Sequence, residues 1–177
     1  MNLTYYKTFL QSFHWFLLYE FTIDDVNFFE KDIHSIIEKL INSKFLNKEL
    51  YHQEMDNEKL EVSAEGLKSI GRPYNFNKIT ISDFRFFKDI QEFKNWVSLF
   101  KNQNWEGDEE NISILMKNIE EQLLKRTNLK NGIWLLSKEN CEENKLIDIH
   151  WIYPYFETFI EIDKENQVVR TLDIAND

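Results

Sequence analysis

The chain has 177 residues and carries 31 Asp and Glu against 21 Lys and Arg, which gives a formal net charge of -10. It also contains 15 Phe, 7 Tyr and 5 Trp, so it can form a hydrophobic core, and its acids belong to a folded surface rather than to a disordered tail. The charge disfavours nucleic-acid binding, because phosphate contacts need a basic stripe. The length predicts a single domain over residues 1–177.

The beginning of the chain and its single cysteine both favour the cytoplasm. Residues 1–20 are apolar and aromatic, but they lack the basic start and the small-residue cleavage site of a signal peptide. No apolar run reaches the roughly 18 residues that a membrane span needs, so we expect no membrane binding. Cys141 cannot form an internal disulfide, and Glu142 and Glu143 would raise its pKa, so we do not expect it to be a nucleophile.

The first predicted elements in chain order are two helices. Residues 3–21 carry apolar side chains at helical spacing, although residues 16–23 also suit a strand. In residues 24–44, apolar positions recur three and four apart behind Thr22 and the Asp24–Asp25 pair, which suit a helix start. The apolar positions of this second helix are Val26, Phe29, Ile33, Ile36, Ile37, Leu40 and Ile41.

The middle of the chain combines weak strand signals with two further helices. Residues 60–62 and 79–81 alternate enough to suggest short strands. Helical spacing returns over residues 84–100 and again over residues 112–123. The acids at positions 108–110 precede the second of these segments, where the positive end of a helix dipole favours negative charge.

After Gly132 the pattern becomes that of strands. The predicted strands cover residues 133–137, 146–153, 158–162 and 168–174. Four consecutive strands with short links predict an antiparallel meander. With the preceding helices they predict an α+β fold, in which a helical N-terminal two-thirds packs on a C-terminal meander and covers one face of its sheet.

Motifs for nucleotide chemistry and serine hydrolysis are missing. The four glycines, at positions 66, 71, 107 and 132, are too widely spaced for a glycine-rich phosphate loop. No serine lies between the flanking glycines of a nucleophile elbow. We therefore expect no cofactor and no catalytic residue of these types.

Two groups of residues resemble metal ligands. Glu30, His34 and Glu38 lie four apart on one edge of the second predicted helix, and they could present two carboxylates and an imidazole to a cation. The same spacing is typical of solvated surface charge, so we predict no metal there, and the sequence leaves the question open. Residues 52–58 alternate acids behind His52 but lack the glycine and the terminal Glu of a calcium loop.

The predicted meander carries the pattern that favours a function. Alternate residues of a strand share a face, so one face is acidic and aromatic while the other is apolar. Aromatic side chains ringed by carboxylates suit an interface for a cationic partner, although any sheet with one solvated face has a polar outer side. The predicted partner-binding residues are Asp148, His150, Tyr155, Glu157, Phe159, Glu161 and Asp163.

In composition and layout the whole chain resembles the immunity proteins that protect bacteria from contact-dependent and other polymorphic toxins. Those proteins are acidic, cytoplasmic, single-domain chains of this size, rich in Asn, Lys, Ile and Phe and without catalytic motifs. They share no common signature, so no residue role transfers to this sequence. The resemblance implies tight binding to a basic toxin domain, often a nuclease, whose active site the acidic surface would block.

Two other classes remain open at this point. One is an adaptor or regulatory protein that binds a cellular protein through the same face or through an unpaired sheet edge. The other is an enzyme whose carboxylates, or whose Glu30, His34 and Glu38, assemble with residues that spacing cannot identify. The sequence leaves the oligomeric state undetermined, and a dimer through the aromatic N-terminal segment is one of the alternatives.

Overall fold

The computed structural model of the protein describes residues 2–11, 14–23, 25, 27–42, 73–75, 77–104, 108–121, 132–146 and 155–176. In chain order its strands and α-helices are β1 (Asn2–Gln11), β2 (His14–Thr22), α1 (Ile33–Asn42), β3 (Arg85–Phe87), α2 (Ile90–Lys101), α3 (Glu109–Ile119), β4 (Gly132–Ser137), β5 (Tyr155–Asp163) and β6 (Val168–Asn176). The predicted α+β class is therefore confirmed.

The strands form one antiparallel sheet with the order β1-β2-β6-β5-β4-β3. The predicted strands at 133–137, 158–162 and 168–174 are confirmed as β4, β5 and β6, which lie side by side as a meander. Of the predicted strand at 146–153, Leu146 makes an isolated bridge to Tyr74, and residues 147–153 lie outside the described residues.

The N-terminal segment is a strand hairpin, so the predicted helix over residues 3–21 is wrong. β1 pairs with β2 from Asn2 opposite Thr22 to Gln11 opposite His14. β2 then pairs with β6 over nine residues, from His14 opposite Asn176 to Thr22 opposite Val168. Apolar residues are so frequent in this segment that helical spacing is satisfied by chance, and pairing with β6 gives its backbone groups partners that no local pattern reveals.

Helices pack on both faces of the sheet, whereas the sequence predicts cover on one face only. On one face, α1 packs through Ile36, Ile37 and Leu40 against β4 and β5. On the other face, α2 and α3 pack against the same two strands and against β6. Strand alternation distributes β5 between the two cores, with Phe156, Ile160 and Ile162 on the α1 side and Tyr155 and Phe159 on the other.

Helix α1 begins at Ile33, nine residues after the predicted start. Asp32 caps it, because its carboxylate accepts hydrogen bonds from the Ser35 backbone N–H at 3.0 Å and from the Ser35 hydroxyl at 2.6 Å. Phe28 and Phe29 lie in the preceding turn and still reach the core. The helix therefore starts behind Asp32 rather than at the predicted Asp24–Asp25 pair.

Helices α2 and α3 match the predicted segments at their cores. α2 starts at Ile90 behind Asp89, whose carboxylate accepts from the Glu92 backbone N–H at 2.8 Å. The preceding residues, predicted as part of this helix, instead form β3. α3 buries the predicted apolar positions Ile112, Leu115, Met116 and Ile119.

The remaining predictions for the middle of the chain are either wrong or lie outside the described residues. Ile81 opens a short 3₁₀ turn, Ile81–Asp83, and residues 79–81 do not form the predicted strand. The predicted strand at 60–62 and the acidic group at 52–58 lie outside the described residues.

Tyr74 fixes the segment before β3 to the sheet. Its buried hydroxyl lies 3.0 Å from the Leu136 carbonyl oxygen on β4 and 2.7 Å from the Phe156 carbonyl oxygen on β5. Its ring meets the Phe156 ring edge-on, with the centroids 5.9 Å apart. One side chain thus joins two strands to a segment more than 60 residues away from either.

Replacing Tyr74 with Phe should lower the free energy of unfolding by about 1–2 kcal/mol, because a buried hydrogen-bonded hydroxyl is lost while the ring remains. Urea denaturation of the variant measures this. Leu99→Ala is the control and should change stability little, because Leu99 is 71% exposed. Equal effects of the two substitutions would contradict the assigned role of Tyr74.

Candidate functional site

Five of the seven predicted partner-binding residues lie in β5, and their alternation on one face is as predicted. A partner-binding face would also have to be exposed, and these residues are buried. Asp148 and His150 lie outside the described residues. The exposed fractions of the other five are 5% for Tyr155, 4% for Glu157, 1% for Phe159, 1% for Glu161 and 0% for Asp163.

Tyr155 and Phe159 are buried because α2 and α3 cover this face of the sheet. Phe159 meets the rings of Phe93 and Trp96 edge-on, with centroid distances of 5.3 Å and 5.1 Å. Tyr155 meets Phe100 in the same way at 5.3 Å. The two aromatic side chains are therefore core residues, and the acids beside them need partners inside the protein.

Glu161 and Asp163 share one guanidinium. Arg170 on β6 donates from Nη1 to Glu161 Oε2 at 3.2 Å and to Asp163 Oδ2 at 3.1 Å. Its Nε donates to Glu20 Oε2 on β2 at 2.6 Å. We call these four residues the ion cluster. It spans three neighbouring strands, because Arg170 stands opposite Glu20 in one pairing and opposite Glu161 in the other.

Asp163 and Arg170 both favour their charged forms inside the protein. Burial raises the pKa of Asp163, but hydrogen bonds from Asn166 and Arg170 outweigh burial and hold the pKa below its ordinary value. Burial alone would lower the pKa of Arg170, but the charges of Glu161 and Glu20 raise it. Asp163 also accepts from the Asn166 backbone N–H at 3.0 Å, which closes the turn into β6. The cluster therefore links β6 to β2 and β5.

Glu157 behaves differently from the acids of the ion cluster. Ser137 on β4, which stands opposite it, donates from Oγ to Glu157 Oε1 at 2.9 Å. Glu157 Oε2 has no hydrogen-bond partner among the described residues. Burial raises the pKa of Glu157 to about 8; the Ser137 hydrogen bond opposes the rise, and the charge of Glu139 adds to it. Glu157 is therefore largely protonated at neutral pH, and a neutral carboxyl is a poor base for activating Ser137.

Two acids from other segments act on the first residues of β5. Asp108 precedes α3, and with burial its charge raises the pKa of Tyr155. Glu139 follows β4 and acts on Glu157, two positions along the same face. Asp108 is thus close enough to Tyr155 for its charge to act, and Glu139 lies in the turn Lys138–Asn140, which contacts β5. We call Asp108, Glu109, Glu110 and Glu139 the acidic rim.

Most of the acidic rim is accessible, whereas Glu161 and Asp163 of the ion cluster are buried. Glu109, Glu110 and Glu139 are exposed, and Asp108 is half-buried. The first three residues of the rim lie where α3 begins, so the helix dipole stabilises their charge. Spacing did not single out the rim, because its two segments are far apart in the sequence and only the fold brings them to one strand end.

The structure separates the residues of the first metal candidate. Glu30 lies in the turn before α1, while His34 and Glu38 lie on the helix, so the predicted common helix edge is wrong. The His34 ring instead packs edge-on against Trp134, with centroids 4.9 Å apart. In the part of the chain that the structure describes, no three His, Cys, Asp or Glu side chains are arranged to hold a metal ion.

Cys141 has the environment expected from its neighbours. Burial raises the pKa of its thiol, and the charges of Asp83 and Glu142 add to the rise. Lys145, which pairs with Asp83 at 2.5 Å, opposes it. The thiol is therefore a weak nucleophile at neutral pH.

Glu157 should make stability depend on pH. Its folded pKa of about 8 lies above the ordinary value of 4.5, so this group stabilises the fold most below about pH 4.5, and that stability is lost as pH rises towards 8. Glu157→Gln should therefore gain stability relative to the wild type by on the order of 3 kcal/mol between pH 5 and pH 8. Melting temperatures across this range, with exposed Glu30→Gln as control, test it; a pH-independent difference would contradict it.

Removing Arg170 should leave buried carboxylates without compensation. Arg170→Met should lower the free energy of unfolding by about 3–5 kcal/mol. Adding Glu161→Gln should recover part of this loss, because one buried charge then disappears. Urea denaturation of the two single variants and the double variant measures the coupling, and strictly additive losses would show that the two groups do not interact.

Comparisons with known proteins give no relative from which a function could be taken. No family model matches the chain, and neither the curated proteins nor the solved structures include a match. Within the described residues, no helix is long and apolar enough to cross a membrane. The function has to be argued from charge and geometry.

Proposed function

We propose that this protein is a non-catalytic inhibitor that binds a cationic protein and neutralises it, as an immunity protein neutralises a bacterial toxin domain such as a nuclease. The observation that carries the proposal is the acidic rim, in a chain of net charge -10. An accessible group of like charges at one end of a rigid sheet suits a basic partner.

The contact residues of this proposal differ from those that the sequence nominates. Glu157, Glu161 and Asp163 are buried and cannot meet a partner directly. Glu109 and Glu110 at the start of α3 and Glu139 after β4 replace them, because these three acids are exposed. The proposed chemistry is unchanged: carboxylates attract a cationic surface.

The buried acids of β5 differ in how much negative charge they add near the acidic rim. Glu157 is largely neutral at pH 7, because burial raises its pKa to about 8, so it adds little repulsion to the rim above it. The ion cluster lies further along β5 and carries its own counter-charge on Arg170.

Electrostatic attraction of this kind acts mainly on the rate of encounter. Charges at a rim steer a partner of opposite sign, and salt screens them. The association rate should therefore fall as ionic strength rises, while the dissociation rate changes less.

The first experiment identifies the partner. Affinity capture from host lysate at low salt, followed by mass spectrometry, should recover a basic protein that high salt releases. Adding this protein to the purified partner should abolish the partner's toxic or enzymatic activity at an equimolar ratio. A partner that stays bound at high salt, or that keeps its activity in the complex, would contradict the proposal.

The second experiment tests the rim. Glu109→Gln, Glu110→Gln and Glu139→Gln together should slow association at low salt about threefold to tenfold, because three steering charges disappear. Glu30→Gln, Glu38→Gln and Glu165→Gln form the matched control, with the same charge change at exposed positions elsewhere. Surface plasmon resonance measures both rates, and equal slowing by the two sets would remove the rim from the interface.

A further inference from the structure

The two edges of the sheet differ. β3 forms one edge and has three residues, while β1 forms the other and has ten. Among the residues that the structure describes, no strand pairs with the outer side of β1. Every second residue of β1 therefore directs its backbone N–H and C=O away from β2, which makes this edge a template for another strand.

β1 has few of the features that normally protect an edge. Proteins block open edges with short strands, prolines, charged residues or bulges. β3 is short, and its Arg85 is exposed. β1 contains no proline and a single charged residue, Lys7. Its pairing with β2 is irregular only between Leu3 and Tyr5, and it is regular from Tyr5 to Gln11.

The distribution of charge favours a second copy of the chain as the occupant. The sequence has 31 acids, yet none precedes Glu20. Glu20 itself accepts a hydrogen bond from Arg170 at 2.6 Å. Two copies of net charge -10 repel each other through their acidic surfaces, and the acid-free β1 is where they can approach at least cost. A cationic partner finds no acid in β1 and is not favoured there.

We propose that β1 pairs antiparallel with β1 of a second copy about a twofold axis, so that the two six-stranded sheets become one continuous sheet. A twofold axis gives identical strands an antiparallel, self-complementary contact. The regular stretch from Tyr5 to Gln11 supplies roughly seven hydrogen bonds between the copies. This inference is independent of the proposed function, because the acidic rim lies at the start of α3 and after β4 rather than on β1.

The oligomeric state tests the proposal directly. Sedimentation velocity at increasing concentration should show a species of twice the 21.6 kDa chain mass. The dimer should tighten at high salt, because salt screens the repulsion between two acidic copies. This is opposite to the salt dependence of partner capture through the rim, so the two ideas fail independently. A monomer at all concentrations up to about 1 mM, a range in which weak strand pairing would be visible, would overturn the proposal.

Single proline substitutions at Tyr6, Lys7, Thr8 and Phe9 locate the contact. Backbone N–H groups point alternately to β2 and to the outer edge. The two variants at positions whose N–H points to the outer edge should be folded monomers, because they lose hydrogen bonds to the second copy. The other two should melt at markedly lower temperature, because they break the β1–β2 pairing. Folded variants that all remain dimeric would overturn the proposal.

Cysteine crosslinking decides the case in which every proline variant unfolds. In a Cys141→Ser background, one cysteine at a time is placed from Tyr5 to Gln11 and the protein is oxidised. Only the one or two positions nearest the twofold axis should give disulfide-linked dimers, because only there does a residue face its own copy. A dimer that crosslinks at none of the seven positions would show that the copies meet elsewhere.

Discussion

Arg170 lies on β6, between Glu20 on β2 and Glu161 on β5, and it connects the N-terminal hairpin to the C-terminal meander. The nine-residue pairing of β2 with β6 brings these side chains together. Once hairpin and meander form one sheet, the sheet is wide enough for α1 to cover one face and for α2 and α3 to cover the other. The positions of the acids follow from this arrangement.

Two groups among the described acids have different roles. Glu161 and Asp163 are buried and compensated by Arg170, so they contribute to the strand arrangement rather than to recognition. Glu109, Glu110 and Glu139 are exposed and have the accessible charge that an inhibitor of a basic protein needs. Glu157 belongs to neither group, because burial keeps it largely neutral near pH 7.

The two proposed interfaces differ in the force that would drive them. The acidic rim would act through charge at long range, and salt weakens that attraction. The outer edge of β1 would act through backbone hydrogen bonds at contact, in a part of the sequence without acids. One chain could therefore bind a second copy and a cationic partner at separate places.

The sequence by itself determined the α+β class, the strands β4 to β6, the cores of α1, α2 and α3, and the face on which each β5 residue lies. These features follow from local periodicity and from turns. Tertiary structure decided that the first segment is a hairpin and that both sheet faces are covered, whereas the local caps Asp32 and Asp89 set where α1 and α2 begin. Alternation assigns residues to a face, but only packing between distant segments decides whether that face meets water or a helix, and therefore whether its acids bind a partner or Arg170.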